Sequence, residues 1–113
     1  MIKKNCQKGI HNQIALSNKD GVFKFYLNEE DADSSLIEPK KFTHFINAKT
    51  MTLSTYVKLN NIIRVKFLKI ESEGFEPEIL NGAIDVLDKI KFIGIDVGAE
   101  RGKNQDHTLN ECC

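Results

Sequence analysis

A chain of 113 residues suffices for one small domain, and its sixteen basic and sixteen acidic side chains leave no net formal charge. No basic stripe with interleaved aromatics runs through it, so nucleic-acid binding has no electrostatic support. No apolar run reaches membrane-spanning length and the first residues lack the apolar core of a secretory signal, so the expected location is cytoplasmic, without a membrane partner.

Residues 1–9 are polar and basic and read as a disordered end, which leaves the domain at 10–113. Ile10, Ile14, Ala15 and Leu16 suggest a short strand. Ser17 to Gly21 (SNKDG) is a turn signal closing on Asp-Gly, and Val22 to Leu27 (VFKFYL) has the aromatic content of a strand. The pair predicts an N-terminal antiparallel β-hairpin. Asn28 to Ser35 (NEEDADSS) is an acidic, solvated connection whose spacing lacks the glycine of a calcium-binding loop. Leu36 to Thr43 runs irregularly through Pro39, and Phe45 to Met51 can form a strand. Thr52 suits the N-cap of a short helix carrying Leu53, Tyr56, Val57 and Leu59, ended by Asn60 and Asn61.

The most structured stretch is Val65 to Gly98. Val65, Phe67, Leu68 and Ile70 form an apolar run, as in a strand covered on both faces. Glu71, Ser72, Glu73 and Gly74 break it. Pro77 opens a helix whose apolar positions are Ile79, Leu80, Ala83, Ile84 and Leu87. Phe92, Ile93, Ile95 and Val97 form a second strand, closed by Gly98. Two strands joined by one helix imply a parallel pair with a right-handed crossover. Beyond it, 99–107 reads as a polar loop and 108–111 as the start of a helix.

Ligands of open α/β sheets bind outside the carboxyl ends of the strands. Those ends carry Glu71 and Glu73 on one side and Asp96 and Glu100 on the other. For Glu76 and Glu78, capping the helix dipole is the simpler role. For Glu71 and Asp96, a site and a solvated loop both remain open. Cys6, Cys112 and Cys113 have no metal-ligand spacing and read as incidental thiols. His11, His44 and His107 lie in separate segments and make no metal motif.

Lys69-Ile70-Glu71-Ser72-Glu73-Gly74-Phe75-Glu76 resembles the K-I-D-x-E-G-x-E signature of the FkbM family of S-adenosylmethionine-dependent methyltransferases. Ile79-Leu80-Asn81-Gly82-Ala83 resembles the V/I-L-x-G-A helix that follows it there. Weaker likenesses flank it in the family's order: Ala15-Leu16-Ser17 with Gly21, Ser34-Ser35-Leu36, Thr52-Leu53, and Ile95-Asp96-Val97-Gly98 with Glu100-Arg101-Gly102. The resemblance implies an α/β, Rossmann-like class I methyltransferase fold, with the strand–helix–strand of 65–98 as its core and the hairpin beside it. It implies S-adenosyl-L-methionine as cofactor and O-methyl transfer to a small-molecule or sugar hydroxyl. Glu71 would stand nearest the transferred group, with Glu73 and Asp96 lining the same crevice. Ala15, Leu16 and Ser17 would touch the adenine.

Two substitutions depart from the family: Glu71 stands for the usual Asp, and Ser54 for the Asp that follows Thr-Leu. The glycines at 9, 21, 74, 82, 94, 98 and 102 form no G-x-G turn after an early strand, and the acidic residue that holds the cofactor ribose has no counterpart. The expectation is therefore a partial domain, truncated at both ends of that fold, unable to transfer methyl alone. Its open sheet edge would favour self-association. A reading from another class is a non-catalytic α/β module that binds a partner through that edge. A metal-dependent hydrolase built on Glu71, Glu73 and Asp96 lacks a histidine placed with them.

Overall fold

The computed structural model describes residues 9–27, 34–38, 44–102, 104 and 106–112. Residues 1–8 of the expected disordered end, most of the acidic connection, Pro39, Cys6 and Cys113 lie outside the described residues.

Four strands form the first sheet: β1 (Ala15–Leu16), β2 (Gly21–Leu27), β3 (Ser34–Ser35) and β4 (His44–Met51), in the order β1-β4-β2-β3. β2 and β4 pair antiparallel from Gly21 opposite Thr50 to Leu27 opposite His44. β1 runs parallel to β4, with Ala15 opposite Thr50, and the Ser17 N–H extends that ladder to the Met51 carbonyl at 2.9 Å. The expected hairpin between 10–16 and 22–27 is therefore not formed, because β4 stands between its two halves. A two-residue strand offers little ladder, whereas β2 pairs with β4 along its whole length. The turn's Asp20 turns instead toward the next helix. Its Oδ1 accepts the Thr52 N–H at 2.9 Å and its Oδ2 accepts the Thr55 hydroxyl at 3.1 Å.

α1 (Leu53–Leu59) starts as the sequence predicts, with the Thr52 side chain accepting the Thr55 N–H. Asn60 caps its end and Asn61 follows at φ 53°. Leu53, Ser54 and Val57 face inward, while Leu59 is exposed.

β5 (Val65–Ile70), α2 (Glu76–Asn81), a 3₁₀ turn (Ile84–Lys89) and β6 (Ile90–Ile95) make the expected strand–helix–strand. Its strands pair in parallel from Val65 opposite Ile90 to Ile70 opposite Ile95. The connecting helix is broken, however, at Gly82 and Ala83. The Gly82 carbonyl accepts both the Ser54 N–H at 3.0 Å and the Ser54 hydroxyl at 2.8 Å. A Cβ at Gly82 would overlap the Ser17 carbonyl oxygen. The chain leaves the α-helix where three segments meet, so helical spacing fails beyond it. Ile84 and Leu87 point outward, and Val86 takes the core position.

The strands are also covered on one face only, not two. Ile70 is 3% exposed, but Phe67 is 58% and Phe92 54% exposed. Two clusters make the core: Leu53, Val57, Ala83 and Val86 in one, and Ile70, Phe75 and Ile79 in the other. Leu16 of β1 and Leu68 of β5 each pack against both, so the two sheets share one core.

Past β6 the expected polar loop holds a small antiparallel pair, β7 (Ala99–Arg101) and β8 (Asp106–His107), turned at Gly102 with φ 67°. α3 (Leu109–Cys112) follows where a helix start was expected. No described helix is long and apolar enough to cross a membrane.

Candidate active site

The parallel register ends β5 and β6 side by side. The Asp96 N–H donates to the Ile70 carbonyl at 3.1 Å, so Glu71 and Asp96 leave neighbouring strand ends, as the sequence predicts. Glu71 is exposed, with its carboxylate 2.9 Å from Lys69 Nζ. That hydrogen bond and the Glu71 charge, with a smaller contribution from Asp96, raise the Lys69 pKa above its ordinary 10.5 against slight desolvation. Asp96 is exposed, and its Oδ1 accepts the Gly98 N–H at 3.2 Å.

Between these strand ends and α2 the chain makes a tight turn. Glu73 sits at φ 53° and Gly74 at φ 101°. A left-handed glutamate costs about 1–3 kcal/mol unless its surroundings enforce it. The enforcing group is Glu76, whose side chain is only 1% exposed. Its Oε1 accepts the Ser72 N–H at 2.9 Å, the Ser72 hydroxyl at 3.0 Å and the Gly74 N–H at 3.2 Å. The buried Thr108 hydroxyl donates to its other oxygen at 3.4 Å. Glu76 thus does more than the dipole cap read from sequence: it is the acceptor around which the turn closes. Its place two residues after Gly74, at the head of α2, is the signal that could have shown this.

Arg101 was not singled out by sequence alone. It reaches back from β7, and Nη1 donates to the Gly74 carbonyl at 2.6 Å and to Glu78 Oε2 at 2.8 Å. Nη2 donates to Glu78 Oε1, and this hydrogen-bonded pairing raises the Arg101 pKa further, outweighing its partial burial. Glu78 therefore holds an arginine as well as sitting in the first turn of α2.

The residues expected to hold the cofactor base divide. Ser17 is fully buried, its hydroxyl donating to Asn18 Oδ1 at 3.2 Å, and half-buried Leu16 packs against both core clusters. Ala15 lines a cleft of about 310 Å³ with Asn12, Gln13, Phe25, Ile46, Asn47 and neighbouring residues. Apolar faces with amide edges suit a flat heterocycle. Among the described residues that line it, no carboxylate is present to take a ribose diol, so the cleft fits the base of S-adenosyl-L-methionine but offers its sugar no acceptor. A second cavity of about 480 Å³ lies between α2, the 3₁₀ turn, β6 and α3. Among the described residues, no group of three His, Cys, Asp or Glu could hold a metal ion.

A sequence model of the methyltransferase FkbM domain matches residues 2–110. No curated protein and no solved structure matches the chain.

Proposed function

Because this chain belongs to the FkbM methyltransferase family, we propose that it serves methyl transfer from S-adenosyl-L-methionine to a hydroxyl of a sugar or other small molecule. The observation that carries this reading is the meeting of the β5 and β6 ends, where the Asp96 N–H bonds the Ile70 carbonyl. Two exposed carboxylates, Glu71 and Asp96, then stand at neighbouring strand ends, at the mouth of a parallel pair, where the crevice of an α/β sheet takes its ligand. Glu71 accepts the hydrogen bond of the acceptor hydroxyl and takes its proton as that oxygen becomes the nucleophile. Glu73 and Asp96 line the crevice and orient the acceptor. The Lys69 ammonium stands 2.9 Å from the same Glu71 carboxylate.

The donor is held poorly by the described residues, so micromolar binding of S-adenosyl-L-methionine to this chain is not expected, nor turnover at micromolar donor. The test is therefore run at millimolar donor carrying a labelled methyl group, with a panel of sugars and small alcohols. At that concentration mass action offsets the weak hold on the donor, so, against the sequence expectation of no transfer by the chain alone, label should pass to a hydroxyl acceptor and fall by about 100-fold in Glu71→Gln. No transfer to any acceptor, or transfer indifferent to Glu71→Gln and Asp96→Asn, overturns the reading.

A second reading has its own observation. β5 has β6 as its one described strand partner, and Phe67 on β5 is exposed. An added strand from a partner would cover both features. Capture of a partner chain by Glu71→Gln as well as by the unaltered chain, without methyl transfer, favours this module.

A further inference from the structure

The turn that carries Glu73 is gripped from two directions by side chains the catalytic reading does not use. From the amide side, buried Glu76 accepts the N–H groups of Ser72 and Gly74. From the carbonyl side, Arg101 donates to the Gly74 oxygen. The guanidinium cannot swing away, because Glu78 binds both of its terminal nitrogens. Close approach is built in: a Cβ on Gly74 would overlap the Arg101 backbone. Glu73 itself lies at φ 53°, a conformation that glutamate keeps only when held.

We propose that Arg101 is a positioning residue, which with Glu76 clamps the Ser72–Gly74 turn and so sets where the Glu73 carboxylate stands against Asp96. The inference rests on the methyl-transfer reading only for the use made of that carboxylate. Arg101 lies five residues beyond Asp96 on the segment leaving β6. One arginine therefore ties the segment bearing Asp96 to the turn bearing Glu73. A lysine carries the charge but lacks the planar fork needed to hold Glu78 and the Gly74 carbonyl together.

The experiment uses the whole 113-residue chain and needs no turnover. Amide hydrogen exchange is measured at Ser72 and Gly74, and the Glu73 side-chain carboxyl is titrated by carbon NMR. In Arg101→Met, exchange at both amides should quicken by about tenfold or more, and the Glu73 midpoint should move. Arg101→Lys should recover part of both effects. Unchanged exchange and an unchanged Glu73 midpoint in Arg101→Met, with the β2–β4 amides intact, overturn the proposal. If that variant unfolds, Glu78→Gln is the second arm: it keeps the arginine but loosens the anchor that holds its guanidinium, and the same two readouts must shift in the same direction or the proposal fails. Methyl transfer is scored separately with Glu73→Gln. A responsive clamp without any transfer sinks the catalytic reading and leaves the clamp standing, whereas transfer with an indifferent clamp sinks the positioning role.

Discussion

At the scale of single residues, the carboxylates of this chain divide by what surrounds them. Glu71 and Asp96 are exposed at strand ends, whereas Glu76 is sealed under a turn and Glu78 is committed to Arg101. Removing Glu76 strips two backbone N–H groups and two hydroxyls of their acceptor. Glu76→Ala is therefore expected to lower stability by about 3 kcal/mol, read as a shifted urea midpoint. The Lys69–Glu71 pair behaves differently. Its raised lysine pKa means that the pair's contribution is fully present below the ordinary lysine value. It fades as pH climbs through the higher folded value, in the alkaline range. Both partners are exposed, so the effect on stability is small. Its signature is spectroscopic: in Glu71→Gln the Lys69 Nζ titration should fall back toward 10.5, and a midpoint indifferent to the substitution would show that the pair does not persist.

Among elements, the junction at Gly82 decides most. The first sheet, α1 and the strand–helix–strand meet there through the Ser17 carbonyl, Thr52 and the two Ser54 hydrogen bonds. Any side chain at Gly82 pushes on backbone, which cannot rotate aside. Gly82→Ala should cost about 3 kcal/mol, measured by thermal or urea unfolding. Asp20 makes a milder case. It bonds the head of α1 across a long sequence separation, and Asp20→Ala should cost about 1 kcal/mol and fray that helix in amide exchange. Ser54, which stands where the family places an aspartate, is buried and bonded to Gly82. A larger, charged side chain there would break that contact and sit without solvent.

For the molecule as a whole, the second sheet sets the behaviour. A two-stranded parallel pair with Phe67 and Phe92 exposed presents apolar surface and an outer β5 edge with no partner among the described residues. Such an edge pairs readily with another chain. The apparent melting temperature and the sedimentation mass of this chain should therefore rise with protein concentration. A cooperative transition independent of concentration, with a monomeric mass throughout, would contradict this.

Local chemistry made much of this legible in advance. Thr52 as a cap, the β5–α2–β6 path, and the neighbouring positions of Glu71 and Asp96 follow from short-range rules of capping, helical periodicity and parallel pairing. The same rules misjudged β1, whose partner β4 comes after two further strands, and Ile84 and Leu87, which periodicity buried but the break at Gly82 turned outward. The role of Arg101 also escaped, because its partners Gly74 and Glu78 lie more than twenty residues away. The burial of Glu76 escaped because Thr108 closes over it from a distant segment, although its bonds to Ser72 and Gly74 are local. Spacing along the chain determined the capped α1, the strand–helix–strand path and which acidic residues crown its strands. Only the three-dimensional packing decided which strand inserts beside which, and which carboxylate is exposed or sealed, because those outcomes depend on contacts between segments that no local pattern encodes.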